Sequence, residues 1–309
     1  MHFLSCAVKK KQNREEWKKT FPFCRFCGTL KRQIKRTRSV RRYMRRRLQM
    51  KLKILRADPA GNITLFVLDQ VAAEERPGLA ARLMADFPEL KAEQVGFVYP
   101  PGEGGDGRMI MMGGEFCGNA TRAFGLLTAK TMGGADRVKV ETSGIDHMVN
   151  VVTDLAAGTS RAEMPLPQLV QPLQETDWQG TLVHLGGIAH LVVEDIEPSQ
   201  AFFEKVEHVF SAYPELDAYG VIFLDNAAGK MTPLVKVVAP NTLVWEGSCG
   251  SGSLAAAVAQ SGTAEGTFER DYVQPAGVVR ATVVRENGQV TATYIGGPVT
   301  LDDPIEVEL

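Results

Sequence analysis

The amino-acid sequence predicts an α+β fold of two similar halves, and three observations lead to it. Short β-rich runs alternate with helical segments in the same order twice between residues 50 and 309. Turn glycines and two cysteines recur at matched distances: Gly61 lies 56 residues before Cys117 and Gly187 lies 62 before Cys249, while Gly144 follows Cys117 by 27 and Gly277 follows Cys249 by 28. A chain of 309 residues is also long for one hydrophobic core, so two domains are expected, at 50–167 and 168–309.

The elements follow in order. Residues 51–56 alternate apolar and charged side chains, as a half-buried strand does, and DPAGN at 58–62 turns the chain. Residues 63–68 are β-rich, 74–87 have helical spacing, and 94–99 read as the next strand. After the Gly- and Pro-rich loop 100–107, a strand at 109–112 runs into GGEFCGNATR at 113–122. Residues 119–130 have the spacing of an amphipathic helix, and 138–142 pairs with 148–152 as a hairpin across Ser143 and Gly144. Pro165 and Pro167 mark the boundary between halves. The second half then offers strands at 182–185 and 190–193 about Gly186 and Gly187, a helix at 198–209, and strands at 220–224 and 234–238. WEGSCGSGSL at 245–254 opens the last helix, and paired strands follow near 273–284 and 290–295.

Charge and cysteine divide the chain unevenly. Of the 35 Lys and Arg, 17 fall in residues 1–50 together with only 2 of the 36 Asp and Glu, so 51–309 carries 18 basic against 34 acidic residues. Residues 1–49 do not read as a folded domain. A nucleic-acid-binding arm, an Arg-rich targeting peptide and a zinc site built on Cys24, Cys27, Cys6 and His2 are each open there. The reading carried forward is that translation begins at Met50 and that 1–49 is an upstream frame or a disordered extension. The acidic balance of 51–309 argues against nucleic acid as its partner. Only Cys117 and Cys249 lie in that body, which points away from a disulfide framework and toward a reducing cytoplasm. No apolar run approaches the length of a membrane span.

Each of the two cysteines precedes a glycine, a run of small or hydroxylated residues and a helix. A helix N-terminus lowers thiol pKa and binds anions, so two such helices facing one another present two thiols to opposite sides of a small anionic substrate. That geometry suits inversion of a carbon centre, one thiolate removing a proton and the other thiol delivering one, with no need for a metal or an electron-sink cofactor. A substrate C–H about a dozen pK units less acidic than a thiol makes the transfer uphill by roughly 16 kcal/mol. One helix terminus contributes on the order of 1 kcal/mol. The site must therefore exclude water and aim N–H donors at the substrate carboxylate, and Gly118, Asn119, Gly250 and Ser251 offer them. Glu115 and Glu246, just before the thiols, are candidates to orient substrate, and His190 is a candidate for the cleft lining. A thiol–disulfide pair is the competing chemistry, but such cysteines usually stand two residues apart, not 132.

At these residues the sequence resembles the diaminopimelate epimerase superfamily of cofactor-independent, two-cysteine amino-acid racemases and epimerases. The resemblance spans nearly all of 50–309 and is carried by Gly61 and Asn62, by Glu115 with Cys117, Gly118 and Asn119, by CGSG at 249–252, and by Gly277 with GGP at 296–298. It implies two pseudo-symmetric domains, each a mostly antiparallel barrel-like sheet around a central helix, with the last strand, about 293–309, returning to the first domain. It implies Cys117 and Cys249 as the acid/base pair, and Asn62, Gln94 and Asn119 as groups that hold the amino-acid end of the substrate. Diaminopimelate epimerases carry Asn-x-Asp-Gly-Ser before the first cysteine and Glu-Arg-Gly before the second, where this chain reads MMGG at 111–114 and TLVW at 242–245. Their Gly-Asn-Pro-His turn is GIAH at 187–190. GGEFCGNA and WEGSCGSG are instead similar to the histidine racemase branch. The expected activity is racemisation of a single-centre amino acid, histidine first, with diaminopimelate epimerisation as the alternative. A phenazine-type isomerase is disfavoured because that branch does not use the cysteine pair. A homodimer is left open.

Overall fold

The computed structural model describes residues 50–102 and 104–309, and the readings of 1–49 lie outside the described residues. Residues Lys51–Leu309 form one compact unit. Its first seven strands are β1 (Lys51–Asp58), β2 (Thr64–Val67), β3 (Gln94–Tyr99), β4 (Gly107–Met111), β5 (Arg137–Thr142), β6 (Val149–Asp154) and β7 (Thr159–Glu163). Helix α1 (Arg76–Asp86) joins β2 to β3, and α2 (Gly118–Thr131) joins β4 to β5. Then come β8 (Leu169–Gln174), β9 (Gln179–His184), β10 (Ile188–Glu194), α3 (Gln200–Val206), β11 (Ala218–Asp225), β12 (Lys230–Val237) and β13 (Thr242–Trp245). Helix α4 (Gly250–Ser261) leads to β14 (Gly266–Val273), β15 (Val278–Glu286), β16 (Gln289–Pro298), β17 (Thr300–Leu301) and β18 (Ile305–Glu308). The protein is thus a mostly-sheet α+β fold, and no helix among the described residues is long and apolar enough to cross a membrane.

The order of pairing repeats. Strands β1 to β7 pair in succession with the senses antiparallel, parallel, antiparallel, parallel, antiparallel, antiparallel. The series β9, β10, β11, β12, β14, β15, β16 runs through the same senses in the same order. In each series one helix makes the first parallel crossover and a second, more deeply buried helix makes the other. The series meet edge to edge where β7 pairs antiparallel with β16, Ile295 lying opposite Ala162. The end strands cross over: β8 pairs with β9, and β17 and β18 pair with β1. The sheet does not close: among the described residues β8 pairs only with β9, β13 only with β12, and β17 and β18 only with β1.

Both sheet curves wrap a helix. Around α2 pack Leu55, Phe66, Met109, Val138, Val151 and Val299; around α4 pack Val183, Ile222, Val235, Tyr272, Val283 and Ile295. Every residue of α2 from Gly118 to Ala129 is buried, so the expected amphipathic helix is corrected to one enclosed on all sides. Its polar members Asn119, Thr121 and Arg122 are inside with the rest, because the sheet leaves no solvent face.

Other expectations shift with the sheet. Strands β7, β8 and β13 are additional, since TSRAE is too polar and LVQPLQ, with Pro172, too exposed to stand out; proline is tolerated on an edge strand such as β8. The run expected near 273–284 divides into the end of β14, a turn, and β15. The helix expected at 198–209 ends as α3 and continues as a 3-10 turn, Glu207–Ala212.

Candidate active site

Both cysteines are helix N-caps. Cys117 has extended backbone and its Sγ accepts from the Ala120 amide at 3.5 Å; Cys249 does the same toward the Gly252 amide at 3.3 Å. The carbonyls behind them are held alike, by Thr121 Oγ1 donating to Cys117 O at 2.8 Å and Ser253 Oγ donating to Cys249 O at 2.7 Å. Capping through sulfur leaves the amides of Gly118, and of Gly250 and Ser251, as donors without a partner among the described residues, while the Asn119 amide joins that of Ala120 on the Cys117 sulfur.

The two helix starts face each other. A Cβ on Gly118 would lie 2.7 Å from Ile295 Cδ1, and one on Gly250 would lie 2.7 Å from the same atom. The amide of Asn119 is against Gly250, its Nδ2 3.6 Å from where that Cβ would be. Phe116, just before the first cysteine, packs on the cores of both helices. Glycine is required at these positions by the close approach of the chains, not by φ.

The surroundings of the thiols differ. Beside Cys117, Asn62 Oδ1 lies 3.8 Å from Sγ and accepts from Gln94 Nε2 at 2.8 Å; Asn62 Nδ2 donates to Glu93 Oε2 at 2.7 Å. Glu115 stands at the exposed rim, its carbonyl held by Ser143 Oγ at 2.8 Å. Beside Cys249, His190 Nε2 meets Ser251 Oγ at 2.9 Å, and Ser251 Oγ lies 3.5 Å from Cys249 Sγ. Gln274, missed in the sequence, accepts from the Cys249 amide at 2.7 Å and donates to Ser253 Oγ at 2.9 Å. Glu246 bonds the Cys249 thiol and also feels the charge of Glu93.

Burial decides the electrostatics. It pushes the Cys117 thiol up, against the opposing pull of the Ala120 amide and the Gln94 side chain. Cys249 is pushed well above the ordinary thiol value, first by burial and then by the Glu246 carboxylate, which Ser251 and the Gly252 amide only partly offset. The acidifying effect expected of the helix ends is therefore outweighed by desolvation, which costs a buried charge far more than one terminus returns. His190 is completely buried, which lowers it to about 3 and keeps the ring neutral. Its Nδ1 has no partner among the described residues, so the single ring proton is best spent on Nε2, donating to Ser251 and freeing the Ser251 hydroxyl to donate to Cys249.

Of the residues expected from the sequence, Asn62, Gln94, Gly118 and Asn119 gather about Cys117, and Gly250, Ser251, Glu246 and His190 about Cys249; Glu115 alone lies outward. Glu93, Gln274 and Ile295 were not anticipated. Glu93 adjoins Gln94 in sequence, so proximity was its one available signal, whereas Gln274 acts from the turn between β14 and β15 and Ile295 through strand register.

The architecture has counterparts of known structure. A hydroxyproline epimerase from Agrobacterium vitis, solved with bound trans-4-hydroxy-L-proline, superposes with a TM-score of 0.56 at 13% identity over 84% of this chain and 93% of its own. A predicted epimerase from Pseudomonas aeruginosa gives 0.58 at 15% identity over 84% and 99%. In sequence, a histidine racemase from Fusobacterium nucleatum is 28% identical over 267 residues, covering 83% of this chain and 94% of that one. One from Staphylococcus aureus is 26% identical over 260 residues, covering 79% and 92%. Fold and relatives together define an isomerase, an amino-acid racemase or epimerase. More narrowly, the family model of the histidine racemase CntK N-terminal domain matches residues 51–302, and the chain belongs to that family.

Proposed function

We propose that this racemase inverts the α-carbon of histidine by a two-base mechanism in which Cys117 and Cys249 act on opposite faces of the substrate, with no cofactor. The observation that carries the reading is that two buried helices, each capped by its own cysteine sulfur, bring their first residues against one methyl group, Ile295 Cδ1. In the proposed cycle one thiolate takes the α-proton while the opposite thiol donates from the other face. The negative charge that builds on the substrate carboxylate is met by the amides of Gly118, Asn119, Gly250 and Ser251. Asn62, Gln94 and Asn119 hold the amino-acid end, while His190 through Ser251, and Glu246, govern the protonation of Cys249. The sites belong to two pseudo-symmetric halves, 50–167 and 168–309; the repeated order of strand pairing supports this division. Cysteine use and the matching relatives' names support a reduced, cytoplasmic setting and histidine as substrate.

The test is incubation in deuterated water with a panel of L-amino acids and meso-diaminopimelate. Histidine is expected to gain α-deuterium and its D-isomer. Cys117→Ala and Cys249→Ala are each expected to abolish racemisation; full activity in either sinks the two-base scheme, and turnover of meso-diaminopimelate in place of histidine overturns the substrate.

A further inference from the structure

Helix α2 carries a buried cation that the two-thiol scheme does not use. Arg122 is 0% exposed. Its Nε donates to Asn119 Oδ1 at 3.1 Å, and its Nη1 donates to the carbonyls of Gly297 and Pro298 at 3.1 and 3.0 Å. Nη2 is buried without a hydrogen-bond partner among the described residues. A guanidinium enclosed this way, bonded to an amide and two carbonyls but to no carboxylate, is expensive to keep. A purely structural tie between α2 and the end of β16 would be made as well by a neutral group.

The other half places no such charge. Five residues on from Cys117 stands Arg122; five on from Cys249 stands Leu254, equally buried. Cys249 has the buried Glu246 carboxylate beside it, while Cys117 has the carboxylate of Glu115 at the exposed rim. Each thiol thus has a carboxylate neighbour, and the two helix starts, built alike, differ in that only the first is followed on its helix by a buried cation. The bond to Asn119 adds a geometric consequence: with Oδ1 held by Arg122, the amide nitrogen of Asn119 is the end turned toward Gly250.

We propose that Arg122 is a positioning residue for the reaction: its buried positive charge makes Cys117, not Cys249, the thiol that ionises first, and its bond to Asn119 aims that amide across the cleft. The proposal rests on the two-thiol reading. Burial lowers Arg122 while Cys117 and Asp58 pull it upward, leaving it at about 10, so the guanidinium is charged at neutral pH and electrostatically linked to Cys117.

The test follows each thiol separately, by iodoacetamide labelling of the full-length protein across pH with peptide mapping. In the unmodified enzyme Cys117 is expected to show the lower midpoint. Arg122→Gln is expected to raise that midpoint by about one unit, a roughly tenfold loss of Cys117 labelling at a fixed pH below it. The Cys249 midpoint stays put, and the acid limb of kcat/KM moves with Cys117. Arg122→Lys, which keeps the charge, is expected to restore the original order. Cys249 ionising first in the unmodified enzyme overturns the proposal, as does an unmoved Cys117 midpoint in Arg122→Gln. Should Arg122→Gln not fold, the order in the unmodified enzyme and in Arg122→Lys decides the matter. Labelling needs no turnover, so an active Cys117→Ala enzyme would defeat the two-base scheme separately, without touching the measured order of the thiols.

Discussion

Gly118 and Gly250 flank the same atom, Cδ1 of Ile295, so closely that a Cβ on either would lie 2.7 Å from it, and the two helix starts can approach that methyl only as glycines. An added methyl at Gly250 would meet that carbon at 2.7 Å with Asn119 Cγ at 3.5 Å. Overpacking of this kind costs about 1–3 kcal/mol. Gly250→Ala is therefore expected to lower stability by about that amount in urea unfolding, but to cut kcat by about a hundredfold because misplacement near 1 Å is amplified in the chemical step. Adding Ile295→Ala should recover part of the kcat. Equal kcat in Gly250→Ala and the unmodified enzyme would show that the helix spacing is not critical.

His190 reaches Cys249 only through Ser251, so the two polar residues should behave as one unit. Ser251→Ala removes the hydroxyl beside Cys249 Sγ and is expected to cost about 1.5–3 kcal/mol of stabilisation of the charged sulfur, seen as a ten- to hundredfold fall in kcat. His190→Phe should cost less, since the hydroxyl remains but is no longer oriented. The double variant is expected to match Ser251→Ala, and strict additivity of the two losses would rule out a shared path. Because His190 sits near 3, its charge does not change in the working range, and no activity step between pH 5 and 8 should be traceable to it.

The contrast between these two sites shows what the chain disclosed in advance. Repeated spacing of Gly61, Cys117 and Gly144 with Gly187, Cys249 and Gly277 foretold a repeated order of elements, because glycine and cysteine stand where close backbone approach and capping leave few substitutes. A Cβ on Gly277 would lie 2.4 Å from Ala60 O, and one on Gly144 would lie 2.1 Å from the Phe116 amide. Local patterning could not reveal that β7 and β16 join the two series of strands, that α2 is enclosed on every face, or that Gln274 holds the Cys249 amide. Those depend on pairings 100 and more residues apart or on loop conformation. The sign of the thiol shifts was also out of reach, since a helix terminus is a local feature and desolvation is a property of the whole packed core.

Among the described residues Glu93 is the carboxylate bonded to Asn62, and through it the link to Cys117 is open to test. Its own carboxyl is raised, by burial above all, with Asn62 pulling the other way. Glu93→Ala is expected to let Asn62 turn and so to weaken kcat/KM by about fivefold, in keeping with a net loss near 1 kcal/mol for one hydrogen bond. Glu93→Gln, which can still accept from Asn62, should retain most of it. Equal loss in both variants would point to the charge instead of the bond.

Glu246 gives the sharpest test of the asymmetry. Its carboxylate bonds Cys249 and raises that thiol beyond the effect of burial, while burial raises Glu246 itself. The sign follows: a carboxylate disfavours the thiolate beside it, so neutralising it must lower the Cys249 midpoint. Glu246→Gln is expected to bring that midpoint down by about one unit, a tenfold gain in labelling at fixed pH, and to leave Cys117 where it was. The group that donates in one direction is the base in the other, so the substitution should ease proton removal by Cys249 and hinder delivery from it. One of the two directions, L to D or D to L, should therefore lose maximal rate by about tenfold relative to the other when initial velocities are compared, with the equilibrium between enantiomers unchanged. A lowered Cys249 midpoint with no directional change in kcat would mean that proton transfer is not the slow step, whereas an unmoved midpoint would remove Glu246 from the control of this thiol.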